Sequence, residues 1–149
     1  MAAPKGNNYW TLRTTDGRDF EYSSPDELWA ECVSYFEWVQ SNPLKEQKAF
    51  HTNGQITKTN VTKMRAMTIS GLCLFLGICE KTWANYRDRK DFLQVTTRAE
   101  KIIYTQKFEG AAADLLNPNI IARDLGLTDK SDVKTEIRIT RKIHAGDSN

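Results

Sequence analysis

From Asp132 to Ile143 this chain alternates apolar and polar residues, and few folds satisfy such a stretch. Val133, Ile137, Ile139 and Ile143 stand at odd positions; Asp132, Lys134, Glu136, Arg138 and Lys142 stand at even ones. Period two is the mark of a strand with one dry and one wet face. No neighbouring stretch reads as its partner, and a lone strand leaves its N–H and C=O groups unpaired. The simplest remedy is the same strand from other copies of the chain, closed into a barrel that has no edges. Val133, Ile137, Ile139 and Ile143 are then the oligomerisation contacts. The alternatives are a frayed tail or an edge strand on the chain's own hairpin.

The rest of the chain predicts a helical body. Residues 1–23 mix Gly, Asn, Thr and Asp with isolated rings (Tyr9, Trp10, Phe20, Tyr22) and read as an extended arm pinned by those rings. A helix follows, with Ser24 as N-cap, Pro25 in the first turn and Glu27 closing a capping box. Leu28, Cys32, Phe36 and Val39 continue it at helical spacing, flanked by Trp29 and Val33, until Asn42-Pro43. Asn53-Gly54 then marks a hairpin over about residues 46–61, pairing Thr52 with Gln55, His51 with Ile56 and Phe50 with Thr57. With only Phe50, Ile56 and Val61 large and apolar, this hairpin is expected to project from the body. Residues 62–127 read as helix throughout. Thr68 caps Ile69 to Leu76, Gly77 turns the chain, and Glu80 to Arg89 forms the next helix. A long helix runs from Phe92 to Leu116, its inner face traced by Phe92, Val95, Ala99, Ile102, Ile103, Gln106 and Phe108. Asn117-Pro118 breaks it, and a short helix from Asn119 to Leu125 stops at Gly126. The expected fold is mainly α with minor β. Residues 1–130 form a helical oligomerisation domain, and residues 131–149 a strand and short basic tail in an intersubunit barrel.

Charge and cysteines narrow the function. The net charge of +2 does not by itself mark a nucleic-acid binder. Residues 1–60 carry 6 basic and 8 acidic side chains, and residues 61–149 carry 15 and 11, so the positive charge lies in the second part. Cys32, Cys73 and Cys79 are odd in number, lack C-x-x-C spacing and sit among apolar residues. They read as buried, reduced thiols of a cytosolic protein. No signal peptide is apparent, and the apolar run from Ile69 to Cys79 is too short to span a membrane.

Two segments are candidates for DNA contact. Around Gly77, apolar residues fall five before, one before, one after, six after and nine after it (Leu72, Leu76, Ile78, Trp83, Tyr86), as in a helix-turn-helix. Lys81, Thr82, Asn85, Arg87 and Arg89 would line the open side of the second helix, with Lys90 following. Any tight helical hairpin needs the same five apolar positions, so packing alone also explains the pattern. The tail is the other candidate: Lys134, Arg138, Arg141 and Lys142, with His144 beside them, oppose only Glu136 from Lys134 to His144. In a ring of many copies those charges add up around the circle. No phosphate loop, G-x-S-x-G, H-E-x-x-H or Cys-His pair is present, so neither a catalytic residue, a metal site nor a cofactor is expected. Asp114 and Asp124 read as surface or capping groups, and His51 as a solvated turn residue.

Several runs carry a resemblance: M-A-A-P-K-G-N-N-Y-W at the start, Y-F-E-W-V-Q-S-N-P-L, K-M-R-A-M-T-I-S-G-L-C-L-F-L, and G-A-A-A-D-L-L-N-P-N-I-I-A-R-D-L-G-L over Gly110 to Leu127. Together, over most of residues 1–130, they resemble the small terminase subunit of short-tailed, headful-packaging phages of enteric bacteria. The resemblance implies a non-enzymatic protein of the host cytoplasm. It implies a nonameric ring with a helical body, an outward hairpin and a C-terminal barrel. Such a ring would recognise the packaging initiation site on double-stranded phage DNA, recruit the large terminase subunit and regulate its ATPase and nuclease activities. The family's basic region after the barrel corresponds here to Arg141, Lys142 and His144, in a shorter and less basic tail. The runner-up is a dimeric helix-turn-helix transcription regulator reading DNA with Lys81 to Arg89, and a third reading is an oligomeric scaffold without DNA contact.

Overall fold

Seven elements follow one another in the computed structural model, which describes residues 22–131. They are α1 (Pro25–Ser41), β1 (Leu44–Thr52), β2 (Gln55–Lys63), α2 (Ile69–Leu76), α3 (Glu80–Asp88), α4 (Leu93–Ala112) and α5 (Pro118–Asp124). The alternating stretch from Asp132 onward, with its oligomerisation and tail residues, lies outside the described residues, as does the arm up to residue 21.

α1 begins where its capping chemistry puts it. Ser24 Oγ accepts from the Glu27 amide at 3.2 Å. The Glu27 carboxylate reaches back not to Ser24 but to Ser23, whose amide and hydroxyl donate to it at 3.3 and 2.9 Å. The box therefore closes one residue further out than its usual form. Leu28, Cys32, Tyr35, Phe36 and Val39 form the buried face of α1. They meet Leu72, Cys73 and Leu76 of α2, Trp83 and Tyr86 of α3, and Phe92, Ala99 and Ile103 in one core. Leu28 and Leu72 are wholly buried, so truncating either to alanine costs about 2–5 kcal/mol.

The hairpin has the expected register, with Thr52 opposite Gln55, His51 opposite Ile56 and Phe50 opposite Thr57. Its turn matches its residues: Asn53 and Gly54 both take positive φ (51° and 80°), the pair of left-handed conformations that a two-residue hairpin turn needs. The strands extend past the expected 46–61, from Leu44 to Lys63, because ladder bonds tolerate polar residues that periodicity does not mark. All their residues are exposed except Leu44, Glu46 and Val61, which are half-buried. The hairpin thus projects from the helices.

Three further boundaries differ from the sequence expectation. Residues 64–68 are not helix but an extended span, held to α4 by Gln106, whose Nε2 donates to the Arg65 carbonyl (2.9 Å) and whose Oε1 accepts from the Met67 amide (3.0 Å). α4 ends at Ala112 rather than Leu116, because Asp114 turns left-handed (φ 56°) and the Leu115 amide bonds back to the Gly110 carbonyl at 2.8 Å. This is a Schellman closure with aspartate in the place glycine usually takes. α5 starts at Pro118, with Asn117 as its N-cap: Asn117 Oδ1 accepts from the amides of Asn119 and Ile120, each at 3.1 Å. Gly126 closes α5 as expected, at φ 69°.

The inner face of α4 also needs correction at one position. Thr96, Ala99, Ile103, Lys107 and Gly110 are its buried residues, while Phe108 is 48% exposed and stacks on Tyr104. The reason is the helical period: steps of three and four from Ile103 reach residues 106, 107 and 110, and residue 108 has already rotated outward. Lys107 fills the inner position with its stem and carries its ammonium to Asp124 of α5.

Candidate nucleic-acid interface

The unit α2–Gly77–α3 is built as a helix-turn-helix needs. Gly77 closes α2 at φ 71°, and the Ile78 amide donates to the Cys73 carbonyl at 3.1 Å. A side chain at that φ would press its Cβ on the backbone. Leu72, Leu76, Ile78, Trp83 and Tyr86 are all buried, so all five patterned positions face the core. Polar tips of the buried rings find partners. Trp83 Nε1 donates to Glu100 Oε1 of α4 at 3.0 Å. Tyr86 Oη accepts from the Tyr22 amide, and the Tyr22 hydroxyl donates to the Leu76 carbonyl at 3.2 Å. Of the four rings assigned to the arm, Tyr22 is the described one, and it pins the chain across the end of α2 as expected. These bonds fix α3 against α2 and α4 and leave one face of α3 in solvent.

That face is less cationic than its sequence suggests. Arg87 donates to Glu100 Oε1 at 3.4 Å, the oxygen that also takes the Trp83 N–H. Arg89 forks onto Asp91 at 3.3 and 3.0 Å and lies over the Phe92 ring, 4.4 Å from its centroid. Both guanidiniums are thus engaged within the fold. Lys81 and Lys90 are exposed and have no ion-pair partner among the described residues. Asn85 is exposed with them, whereas Thr82 is half-buried, its hydroxyl 3.2 Å from Cys79 Sγ. At the start of α3, Glu80 accepts a short bond from Ser70 Oγ and adds negative charge where a DNA backbone would approach. The structure therefore brings Lys81, Asn85, Arg87, Arg89 and Lys90 to one exposed region but neutralises half its charge.

Other cations have structural work that no sequence pattern announced. Arg65 is 9% exposed; its Nε donates to the Asn42 carbonyl at 2.7 Å and its guanidinium lies 4.9 Å from the Trp38 ring centroid. It ties the end of α1 to the chain leaving the hairpin. Arg98 covers Trp29 at 4.4 Å from the ring centroid, beside a groove of 710 Å³ between α1 and α4 lined by Met67, Lys101, Ile102 and Gln106 among others. By contrast, Lys45, Lys48, Lys58 and Lys63 all lie on the exposed hairpin, where the sequence drew attention to turn and register rather than to charge.

The thiols divide two to one. Cys32 and Cys73 are buried as expected, and burial pushes each thiol up to about 12, away from thiolate chemistry. Cys79 is exposed, contrary to expectation, because it is the N-cap residue of α3 and points away from the packed side of the turn. No group of three or more metal-ligating side chains occurs among the described residues, and His51 is exposed on the hairpin. No helix among them is long and apolar enough to cross a membrane.

Comparison with known proteins places these elements in a family context. The family described as DNA-packaging protein gp3 matches residues 17–133. The terminase small subunit of Salmonella phage P22 is 57% identical over 134 residues, which covers 90% of this chain and 83% of that protein.

Proposed function

The chain belongs to the gp3 family of DNA-packaging proteins, and on that premise we propose that it serves viral DNA packaging as a non-catalytic small terminase subunit. In this reading it forms a homo-oligomeric ring of nine copies in the host cytoplasm. The ring binds double-stranded phage DNA at the packaging initiation site, recruits the large terminase subunit and regulates that partner's ATPase and nuclease activities. Residues 1–130 supply the body, and Val133, Ile137, Ile139 and Ile143 the seam of an intersubunit barrel. Lys134, Arg138, Arg141, Lys142 and His144 supply DNA contacts, with Lys81, Arg87, Arg89 and Lys90 secondary to them.

The observation that carries this reading is the family match over residues 17–133, a range that takes in both the helical body and the hairpin. The period-two tail, for which no neighbouring stretch of the sequence reads as a partner, supports the ring, and the lack of nucleotide-binding or hydrolytic motifs supports a division of labour in which the partner does the chemistry.

Native mass of the full-length chain in near-physiological salt tests the proposal. The expected result is an assembly of about nine 17.1 kDa protomers, reduced in mass by Ile137→Asp with Ile139→Asp. A dimer would overturn the ring and favour the regulator, which would then show a palindromic site with half-sites about one helical turn apart.

A further inference from the structure

The hairpin is twenty residues that bury almost nothing. Two strands of nine residues reach about 30 Å and pack on each other rather than on a helix. Such a ribbon is marginal by itself, and most of its side chains contribute nothing to the core. Its charged residues are Lys45, Lys48, Lys58 and Lys63 against Glu46, a net of +3, larger than the +2 of the whole chain.

The single carboxylate is confined to one face. Glu46 lies 2.8 Å from Lys63 and 3.7 Å from Lys48, on the face that also holds Phe50 and Thr57. The Lys63 ammonium holds that carboxyl below its usual range. Alternation puts Lys45, Gln47, Ala49 and His51 on the other face, opposite Thr62, Asn60, Lys58 and Ile56 respectively. That second face carries no acidic residue. Its outer half sets the Gln47–Asn60 amide pair beside Lys58, with Ala49 opposite Lys58 leaving room, and ends on Ile56, 71% exposed. Amides that pair with adenine, an ammonium that meets guanine or phosphate, and an aliphatic group that meets a thymine methyl are the chemistry of base-edge readout. A two-stranded ribbon is also narrow enough for the major groove of B-DNA, about 12 Å wide.

We propose that the β1–β2 hairpin is a DNA-contacting ribbon that enters the major groove of duplex DNA with its Gln47, Lys58, Asn60 and Ile56 face. The proposal rests on the packaging function above and adds to it a contact on the body, separate from both the tail and α3. Charge complementarity selects the partner: a polyanion is attracted to a net +3 ribbon whose one carboxylate is already neutralised. Repetition around a ring multiplies a weak single contact, so DNA would be held along the ribbons.

The test uses the full-length chain and fluorescein-labelled duplexes, one of phage sequence and one of mixed sequence, over a salt series. Lys58→Ala is expected to weaken binding to both duplexes and flatten the salt slope by about 1, as one lost phosphate contact requires. Gln47→Ala with Asn60→Ala is expected to leave the slope alone and to narrow the preference for the phage duplex. Native mass should stay that of the unmodified protein in both. An unchanged slope and preference, or a fall in native mass that makes the hairpin a subunit contact, overturns the ribbon. If wild-type binding is instead abolished by Arg138→Ala, Arg141→Ala and Lys142→Ala while the hairpin variants bind normally, the packaging function stands and the ribbon fails. No binding by the wild-type chain to either duplex overturns both.

Discussion

Gly71 and Tyr35 form a contact whose energy can be worked from geometry. Gly71 sits in the first turn of α2, and its amide donates to the N-cap hydroxyl of Thr68 at 2.9 Å. The Tyr35 hydroxyl of α1 lies over the same turn, accepting from the Thr68 amide at 3.1 Å and donating to the Thr68 carbonyl at 3.3 Å. A methyl at position 71 would stand 2.6 Å from Tyr35 Oη and 2.9 Å from Thr68 Oγ1. Neither oxygen can retreat without breaking a bond that caps α2 or docks it on α1. Losing the cap costs about 1 kcal/mol, losing the tyrosine bond about 1 kcal/mol, and residual overpacking about 1 kcal/mol. The better helix propensity of alanine returns up to about 1 kcal/mol. Gly71→Ala should therefore destabilise by about 2 kcal/mol and lower Tm by about 6 °C for a chain of this size. Tyr35→Phe alone should cost about 1 kcal/mol. Without the hydroxyl, the nearest tyrosine atom to the new methyl is Cζ at 3.5 Å, an ordinary contact. The double variant should thus be about 1 kcal/mol more stable than additivity predicts. The assay is thermal unfolding by circular dichroism at one fixed protomer concentration, since assembly couples Tm to concentration. A Gly71→Ala protein as stable as the parent, or additive changes in the double variant, would refute the reasoning.

Other outcomes can be checked alongside it. In native protein a thiol reagent should modify one cysteine per chain, Cys79, and all three after denaturation; rapid native labelling of Cys32 or Cys73 would contradict their burial. Their thiols are raised from 9.0 to about 12, so the unfolded chain loses these protons first. The stability they contribute is complete below pH 9 and drains away as pH rises towards 12. Denaturant titrations at stepped alkaline pH should show a smaller decline in a variant with both replaced by alanine. At the α4–α5 contact, the Lys107 side chain is 9% exposed and that of Asp124 is 49% exposed. Asp124→Ala leaves a buried ammonium without its partner and should cost about 1–2 kcal/mol, reduced from the fully buried case by nearby water. Lys107→Met keeps the packed stem and should cost less than about 1 kcal/mol; chemical denaturation giving the reverse order would refute this account of the pair.

Much of this protein is written locally. The start of α1, the cap and length of α2, the glycine turn and the hairpin register follow from chemistry within a few residues: a side-chain oxygen within reach of an amide, a φ that the turn demands, a strand period of two. Those features were legible because no distant residue has a vote in them. Tertiary structure decided what depends on residues far apart in sequence. Residues 64–68 are extended because Gln106 and Tyr35 satisfy their backbone from other helices. The helical period turns position 107 inward, and a lysine can stand there because Asp124 of α5 receives its charge. Arg87 and Arg89 look like DNA-facing cations in one dimension, but Glu100, Asp91 and the Phe92 ring engage them in three. Lys58 stays in solvent because it stands on the outer part of the hairpin, beyond the reach of any helix. Charge can be counted along a chain, but whether it is neutralised or offered to a partner depends on what the fold sets beside it.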